Sequence, residues 1–419
     1  MSDQSRNQTK PSARAGALSG IRVLDLSRVL AGPLCGQLLA DLGADVIKVE
    51  RPGRGDDSRA WGPPYVMDRD GKPTQESAFY WACNRGKRSV VADLSSAAGR
   101  QVVARLAAQS DVLIENFKSG TLQRYGLGFE QLSSTNPGLV YCSITGFGQT
   151  GPYRERPGYD TIIQALGGLM SITGRQDDAP GAGPLKAGLA VTDLMTALYS
   201  TVAILAALNE RATSGLGQYV DMSLLDVQVA ALGNVAMNFL VSGDVPKRIG
   251  NRLPTVYPSD AFRCSDGDVM LIVGNDEQFR RFCAAAGLDQ ALVDMRFATN
   301  SLRVRNADAL AASIAPVLAR RSVQEWVAKF EAAGIPCSPI NDIAQVFADP
   351  QVVAREMVRP LEHPGAGPVP TIANPIRLSR TPLGHSRPPP TLGQHTGEVL
   401  AEVLGLTADE ISRLNPEKT

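Results

Sequence analysis

Histidine, the side chain that most often serves acid–base catalysis near neutral pH, is scarce in this chain. Three occur among 419 residues, and the first of them is His363, followed by His385 and His395. None stands in a metal-ligand spacing. A Ser-His-Asp hydrolase or a histidine-ligated metal enzyme is therefore disfavoured, no metal site is predicted, and a carboxylate or lysine is left as the candidate nucleophile.

Paired cysteines and an excess of charge are also missing. The six cysteines, none of which forms a C-x-x-C pair, are Cys35, Cys83, Cys142, Cys264, Cys283 and Cys337. This spacing indicates neither a zinc site nor a disulfide framework. Lysine and arginine number 42 and so do aspartate and glutamate, which gives no global field to attract nucleic acid or an anionic membrane.

The N-terminal stretch MSDQSRNQTKPSARAGALSG is polar and contains no apolar core of a signal peptide. We interpret it as a flexible tail. No segment shows the uninterrupted apolar run of a membrane span, because the most apolar stretch, after Asp193, carries Asp, Thr, Ser and Asn. The sequence predicts a cytoplasmic protein of roughly two or three domains, with no membrane partner.

Strands and helices alternate in the first half of the chain. Strand patterns occur in IRVLDLS, DVIKVE, SVVADL, DVLIENF and GLVYCSITGFG, and helix patterns in GPLCGQLLADLGA and SAAGRQVVARLAAQ. This alternation predicts an α/β fold with a parallel sheet. Later, AFRCSDGDVMLIVG resembles a hairpin that turns at Asp266 and Gly267 and begins a smaller α+β unit. The proline-rich segment beyond residue 359 is expected to dock on another surface.

Polar residues follow several of the predicted strands. Arg28 follows the first, Arg51 follows the second, and Asn116 with Phe117 closes DVLIENF. Ligands of parallel sheets bind at the carboxyl ends of the strands, so these residues are candidates for a common site. The alternative for each arginine is a solvated loop charge or a surface ion pair.

A glycine motif after the last of these strands invites a dinucleotide-site interpretation that its context does not support. GFGQTG satisfies G-x-G-x-x-G, but Pro152 follows at once and PYRERPG cannot open a helix under a pyrophosphate. The acidic pair Asp177 and Asp178 lies in a Pro/Gly loop and not at a strand end. Nicotinamide binding is not predicted.

Asp193 stands at the start of a very apolar helix pattern, VTDLMTALYSTVAILAALNE. One interpretation is helix capping, since first-turn aspartates accept hydrogen bonds from free amides and favour the positive end of the dipole. The other is a nucleophile, because a helix N-terminus can hold a carboxylate ionised and stabilise a reacting oxyanion. This segment alone leaves both open.

Long, ordered stretches of the chain carry a family resemblance. They include GIRVLDLSRVLAGPLCGQLLADLGADVIKVERPGRGDDSRAWGPP, NRGKRSV, GYDTIIQALGGLMSITG, GLAVTDLMTALY, IPCSPINDIAQVFADPQV and RPPPTLGQHT. Between about residues 18 and 415 the chain resembles the family III CoA-transferases, the formyl-CoA and carnitine CoA-transferase group. GDDSRAWGPP, SITGFGQTGP and RPPPTLGQHT are most similar to the succinate–hydroxymethylglutarate CoA-transferases within it.

The resemblance implies site residues and a fold. The family's catalytic aspartate falls on Asp193. Its CoA contacts fall on Leu30, Ala31, Arg51, Ala92, Asn116, Phe117, Lys118, Arg124, Tyr159 and Asp160. The implied fold is a Rossmann-like large domain with a smaller α+β domain, in an interlocked homodimer. We therefore expect a large domain over 16–225, linker helices and the small domain over 226–349, and a return segment over 350–419 that completes the large domain.

The implied reaction moves CoA from succinyl-CoA to an organic acid such as glutarate, itaconate, hydroxymethylglutarate or a sulfinate analogue. The aspartate forms a mixed anhydride and then an aspartyl-CoA thioester. CoA is then a substrate, with no tightly bound cofactor. Arg51 and Arg124 are predicted to hold its phosphates, and Arg28 or Arg252 to hold the distal carboxylate of the acid.

Two departures from related proteins shape these expectations. Formyl-CoA transferases close a run of glycines over the aspartate, whereas the comparable region here is GNRLPTVYPSD, which disfavours such a lid. An α-methylacyl-CoA racemase is the alternative function. Racemases of this group place a histidine base where this chain has Tyr159, so racemisation is disfavoured.

Overall fold

The structure is a computed structural model, and it describes residues 16–383 and 387–414. Most of the predicted N-terminal tail lies outside the described residues, and so does His385. Within them the strands β1 to β13 are, in order, Arg22–Asp25, Asp45–Glu50, Tyr65–Met67, Pro73–Ser77, Lys87–Val91, Val112–Glu115, Val140–Thr145, Tyr219–Ser223, Ser259–Arg263, Asp268–Ile272, Cys337–Pro339, Val358–His363 and Gly367–Ile372.

The helices of the described chain are numbered in the same way. α1 to α10 are Ala31–Asp41, Ala78–Ala82, Ala97–Ala108, Thr121–Arg124, Phe129–Thr135, Asp160–Leu166, Leu169–Ile172, Val191–Ser214, Leu224–Ala231 and Gly233–Ser242. α11 to α19 are Asp276–Ala286, Asp289–Val293, Asn300–Arg305, Ala307–Leu318, Val323–Ala332, Ile343–Ala348, Pro350–Ala354, Thr396–Leu404 and Ala408–Leu414. Two short 3₁₀ helices span Asp57–Ala60 and Met295–Phe297.

Six parallel strands form the central sheet, in the order β5-β2-β1-β6-β7-β8. The predicted α/β fold with a parallel sheet is thus confirmed. Chain order runs outward in both directions from the contact between β1 and β6, where Val23 is paired with Val112. Such a reversal is the point at which open parallel sheets bind ligands.

Alternating side chains of each strand bury on opposite faces of this sheet. Leu24 and Ile47 pack with Val102 and Leu106 of α3 on one face. On the other face, β1, β2, β6 and β7 pack against α1 and α8, with a core that includes Val23, Val46, Leu39, Ala197 and Ile204. Helices therefore cover both faces of the sheet. Because each strand is buried on both sides, the predicted strands consist of nearly continuous apolar residues.

The chain returns near its C-terminus to cover the free edge of β5. The Ser89 amide donates to His395 Nδ1 at 3.2 Å, and the His395 amide donates to the Ser89 carbonyl at 3.0 Å. The Val91 amide donates to Thr396 Oγ1 at 3.1 Å. Because β5 pairs with β2 on its other side, these bonds satisfy edge groups that would otherwise be open.

By length and composition α8 could cross a membrane, as could α9 with α10 if that pair, bent by 73°, counts as one span. A core helix of a soluble protein meets the same criterion. α8 contributes buried Thr196, Ala197 and Ile204 to the fold and ends at Gly215, whose φ of 75° is the left-handed conformation of a glycine C-cap.

Two compact units can be distinguished. The larger contains described residues within 16–168, 187–236 and 355–414, and it holds the six-stranded sheet and the hairpins β3-β4 and β12-β13. The smaller contains residues 169–186 and 237–354. The three domain ranges given by the sequence, 16–225, 226–349 and 350–419, stay a prediction about folding domains.

The smaller unit is built on the antiparallel sheet β11-β10-β9. Its predicted hairpin is confirmed, since β9 and β10 flank the turn at Asp266 and Gly267 and the Cys264 amide donates to the Gly267 carbonyl at 2.8 Å. Trp326 stacks on Phe330 with ring centroids 5.2 Å apart in its core.

Candidate active site

A cavity of about 240 Å³ opens in the larger unit at the carboxyl ends of β1, β6 and β7. Its walls come from the segments that follow these strands, from the loop before α6, and from the first turn of α8. It contains nine of the predicted site residues, namely Arg28, Leu30, Ala31, Asn116, Phe117, Lys118, Tyr159, Asp160 and Asp193. The reversal of strand order between β1 and β6 places the cavity there.

Asp193 lies in the first turn of α8, but its side chain does not cap the helix. Ala190 is the N-cap residue and provides no side-chain bond. The carboxylate of Asp160, at the start of α6, accepts from the amides of Thr192 at 2.9 Å and Asp193 at 3.2 Å. Asp160 therefore caps α8, and within the described chain the Asp193 carboxylate accepts no hydrogen bond.

The surroundings of Asp193 favour its protonated form. Burial, followed by the negative charge of Asp160, raises the pKa of the Asp193 carboxyl to about 7. We expected helix amides to offset burial and keep this carboxylate readily ionised. The structure differs, because the amides that could do so are bonded to Asp160.

The loop after β1 forms one wall of the cavity and is held from two sides. Asn116 Oδ1 accepts from the Arg28 amide at 2.9 Å, and Asn116 Nδ2 donates to the Arg28 carbonyl at 2.6 Å. Val29 has a φ of 75°, in the left-handed region that β-branched residues rarely adopt. Asp56 Oδ1 accepts from the Val29 amide at 3.1 Å and helps to fix this conformation.

Buried charges lie beneath that loop. Lys48 Nζ donates to Asp56 Oδ2 at 2.8 Å and to the Ser27 carbonyl at 2.9 Å, and neither side chain of this ion pair is exposed. Lys87 Nζ similarly contacts Asp25 Oδ2 at 2.7 Å. Lys48 lowers the pKa of Asp56 to about 2 against the opposing effect of burial, so the loop rests on an ionised pair.

The cationic side chains of the cavity differ in how they are neutralised. Arg28 Nη1 contacts Asp57 Oδ2 at 3.1 Å, and its guanidinium lies 5.2 Å from the centre of the Phe117 ring. Arg156 stacks on Tyr153 at 3.8 Å and has no acidic partner in the part of the chain that the structure describes. The cavity can therefore receive an anion without first breaking an ion pair at Arg156.

Four predicted site residues lie outside this cavity. Arg51 and Ala92 line two further cavities of about 570 and 520 Å³, which share Gly53. Arg124 is exposed at the end of α4 and donates to Thr121 Oγ1 at 3.3 Å. Arg252 belongs to the smaller unit, so the structure brings together only part of the predicted set.

Arg252 is already engaged within the smaller unit. Its Nε contacts Asp260 Oδ2 at 3.0 Å and its Nη1 contacts Asp308 Oδ1 at 2.6 Å. Arg51 is also paired, through its Nη2, with Asp57.

Sequence reasoning overlooked several residues of the site. Arg154 and Arg156 line the cavity, whereas the pattern PYRERPG indicates from sequence only that a dinucleotide site is disfavoured. Lys48 carried a usable signal, since a lysine inside a parallel strand that is buried on both faces requires a buried partner. No group of three histidine, cysteine or acidic side chains suited to a metal occurs among residues 16–383 and 387–414.

Comparisons of sequence and fold relate this chain to known proteins. Residues 18–396 match the profile of CoA-transferase family III. The chain belongs to this family. The resemblance deduced from the motifs is thereby confirmed, and so is the assignment of the protein as a CoA-transferase, an enzyme that acts on CoA thioesters.

Relatives of this CoA-transferase are similar along nearly their whole length. A succinate–glutarate CoA-transferase of Agrobacterium fabrum is 49% identical over 390 residues, covering 93% of this chain and 96% of that protein. A succinyl-CoA:glutarate CoA-transferase of Homo sapiens is 41% identical, covering 92% and 86%. The crystal structure of a CAIB/BAIF family protein from Brucella suis superposes with a TM-score of 0.85 at 46% identity, covering 93% and 100%.

Proposed function

We propose that this enzyme transfers CoA from succinyl-CoA to glutarate or a similar acid, such as itaconate, hydroxymethylglutarate or a sulfinate analogue, with Asp193 as the nucleophile. The observation that carries the proposal is the position of Asp193, a half-buried carboxylate that accepts no hydrogen bond within the described chain and lies in a cavity whose lining includes Arg28, Lys118 and Arg156. The relatives named succinate–glutarate and succinyl-CoA:glutarate CoA-transferases support this choice of donor and acceptor.

The reaction balances without an external acid, base or redox partner. An Asp193 oxygen bonds to the thioester carbon of succinyl-CoA, the C–S bond breaks, and CoA leaves as a thiolate from a mixed anhydride. The thiolate attacks the Asp193 carbonyl carbon, which releases succinate and leaves CoA joined to Asp193 as a thioester. The glutarate carboxylate repeats both steps in reverse and regenerates the Asp193 carboxylate.

CoA itself is proposed to extend along the carboxyl edge of the sheet as a substrate that leaves at each turnover. Leu30, Ala31, Asn116, Phe117 and Lys118 lie in the cavity beside Asp193, which supports their assignment to CoA. The cavities lined by Arg51 and Ala92 share Gly53, and Arg54 with Arg51, which is paired with Asp57, is proposed to hold the phosphates in one of them. The assignment of Arg124 and Tyr159 to CoA stays a prediction from the resemblance, and that of Asp160 is disfavoured because both of its carboxylate oxygens already accept hydrogen bonds.

The test of the nucleophile is Asp193→Ala. We expect this variant to lose CoA exchange between succinyl-CoA and glutarate by at least about 10³-fold while it retains CoA binding, measured by calorimetry. In the wild type, incubation with succinyl-CoA should place a CoA adduct on the peptide that contains Asp193. Unchanged kcat in the variant would exclude the nucleophile, and α-proton exchange without transfer would indicate the racemase alternative.

An arginine is proposed to select the second carboxylate of the acceptor. Arg28, which the sequence predicts for this role, lies in the cavity. Arg156 is the arginine of the cavity that has no acidic partner in the described chain. A charged hydrogen bond contributes about 1.5–3 kcal/mol, so its loss should raise KM for glutarate by about 10-fold or more and leave butyrate transfer unchanged.

The experiment compares Arg28→Ala, Arg156→Ala and Arg252→Ala with the control Arg263→Ala, which removes an exposed arginine of the smaller unit. Equal discrimination between glutarate and butyrate in the first three variants and the wild type would exclude all three arginines.

The type of the larger domain, the oligomeric state and the location of the protein also remain proposals. The order β5-β2-β1-β6-β7-β8, with helices on both faces, supports a Rossmann-like larger domain. A homodimer of interlocked subunits and a cytoplasmic location are proposed from the family resemblance and the sequence. Exposed apolar residues on α8 support the dimer, since such a surface favours burial by another protein.

A further inference from the structure

A carboxylate from a different helix holds the start of α8. Asp160 is the first residue of α6, and one of its oxygens accepts from the amides of Thr192 and Asp193 at 2.9 and 3.2 Å. Its other oxygen accepts from Gln164 Nε2 at 2.5 Å. Both oxygens of Asp160 are thus engaged in joining α6 to the helix that carries Asp193.

Gln164 extends this connection to the chain that leads into α8. It is fully buried, its Oε1 accepts from the Ala187 amide at 2.9 Å, and its Nε2 also donates to the Leu189 carbonyl at 3.3 Å. From the opposite side, Thr192 Oγ1 donates to Gln228 Oε1 at 2.6 Å. Hydrogen bonds from α6 and α9 therefore hold both the chain that leads into α8 and the first turn of that helix.

Helix N-termini expose up to four amides that lack partners within the helix. Asp160 accepts from two of the amides at the start of α8, including that of Asp193 itself. A carboxylate that accepts hydrogen bonds from helix amides is stabilised as an anion and loses basicity and nucleophilicity. The capping by Asp160 withholds this stabilisation from the Asp193 carboxylate.

We propose that Asp160 is a positioning residue for CoA transfer: its carboxylate fixes the backbone of Asp193 and takes the helix amides, so that the Asp193 carboxylate stays free and basic for attack on the thioester. This role rests on the proposed function, in which Asp193 is the nucleophile. It also differs from a direct contact with CoA, because both Asp160 oxygens already have donors and its negative charge repels phosphates.

The elements that pack against α8 carry charged residues, and so does the lining of the cavity. α6 contributes Asp160, while β8 and α9 carry Asp221 and Asp226. The remaining charged or titratable side chains that line the cavity are Arg28, Asp57, Lys118, Arg154, Glu155, Arg156 and Tyr159. Of all these groups, Asp160 is the one whose charge raises the pKa of Asp193, in addition to burial. Removing that charge should therefore move the titration of Asp193 to lower pH.

The variants Asp160→Asn and Asp160→Ala distinguish the capping of α8 by Asp160 from the effect of its negative charge on Asp193. Asparagine retains an oxygen that can cap the two amides, removes the negative charge and replaces the oxygen that accepts from Gln164 Nε2. The acid limb of kcat should therefore move down by about one pH unit, with kcat at its optimum reduced less than in Asp160→Ala. Alanine removes both, so kcat should also fall by about 10-fold or more at its optimum, while KM for succinyl-CoA changes less than 3-fold. Rescue of kcat by asparagine relative to alanine is the signature of positioning.

Asp226→Asn is the matched control, since it removes an exposed first-turn aspartate of α9 in the same unit. Its acid limb should coincide with that of the wild type. An acid limb unmoved in Asp160→Asn would overturn the proposal, and so would a kcat in Asp160→Ala equal to that of the wild type.

A second measurement does not depend on catalysis. Carbon-13 NMR of aspartate carboxyls, with Asp193 assigned from the Asp193→Asn spectrum, should show the Asp193 titration at lower pH in Asp160→Asn than in the wild type. An unchanged titration would overturn the role of Asp160 even if transfer is observed. Absence of CoA transfer in the wild type would instead remove the proposed function, with the titration still measurable.

Discussion

The raised pKa of Asp193 shows that its ionised form destabilises the folded protein. Burial and Asp160 raise the pKa of its carboxyl from 3.8 to about 7, so the folded protein binds this proton more tightly than the unfolded chain. The stabilising contribution of the proton is complete below pH 3.8 and is lost as pH rises through about 7. At higher pH the ionised group destabilises the fold.

Asp193→Asn should therefore be more stable than the wild type at pH 8 and nearly equal to it at pH 4. The linkage sets an upper limit of about 4 kcal/mol for the gain. Urea denaturation at both pH values measures it, with Asp226→Asn as the control expected to show no such gain. A variant less stable than the wild type at pH 8 would contradict the uncompensated burial of Asp193.

At the residue scale, sequence reasoning located Asp193 but not its surroundings. Capping was the alternative to nucleophilic attack, and the structure assigns the cap to Asp160, which is 33 residues earlier in the chain. A local pattern cannot reveal such a partner, because capping propensity is counted within a few residues of the helix start. The motif GYD contained Asp160, but nothing in it indicated which helix the carboxylate would reach.

At the element scale, the loop after β1 depends on an ion pair buried below it. Lys48 bonds both the Ser27 carbonyl and Asp56, and Asp56 in turn accepts from the amide of Val29. Removing one partner of a buried pair leaves the other charge without compensation in a region that excludes water. The left-handed backbone of Val29 then loses part of what holds it.

Lys48→Met should destabilise the protein by about 3–5 kcal/mol. The double variant Lys48→Met/Asp56→Asn should recover part of that loss, because it removes the orphaned charge. Chemical denaturation provides the measurement, and Lys72→Met, at an exposed lysine, serves as the control with a change within about 0.5 kcal/mol. A single variant as stable as its control would show that the pair does not support the loop.

The elements themselves were largely predictable. Apolar runs such as DVIKVE and helix periods such as that of α3 depend on local pattern, and each forms the predicted strand or helix. The polar supports of the site were not predictable, since Lys48 and Lys87 find their acidic partners only after strands distant in sequence are paired. The contact between Arg28 and Asn116 was predictable, because residues at the carboxyl ends of neighbouring parallel strands lie close together. Arg124 was predicted only from the family resemblance, and Arg252 only from its charge.

At the scale of the whole molecule, α8 presents an apolar surface to solvent. Leu198, Tyr199 and Val202 are 54%, 47% and 63% exposed. Exposed apolar side chains at successive turns favour association, which agrees with the proposed homodimer.

The chain should therefore sediment at twice its mass of 44.5 kDa. Val202→Glu should weaken the dimer, since it places a charge in the apolar surface, while Lys72→Glu should leave it intact. Sedimentation equilibrium over a range of concentrations tests both variants. A wild type that stays monomeric throughout would contradict the dimer.

The bonds that residues 390–396 make with Arg59 and with β5 join parts of the chain that are far apart in sequence. Arg59 Nη2 donates to the Pro390 carbonyl across 331 residues, and Ser89 exchanges bonds with His395 across 306. The edge of β5 is therefore translated long before the chain that covers it, so a nascent polypeptide on the ribosome carries an open strand edge until residues 390–396 have been synthesised. Such an edge is a template for aggregation, so a chain that stops short of residues 390–396 should aggregate through β5 more readily than the full chain.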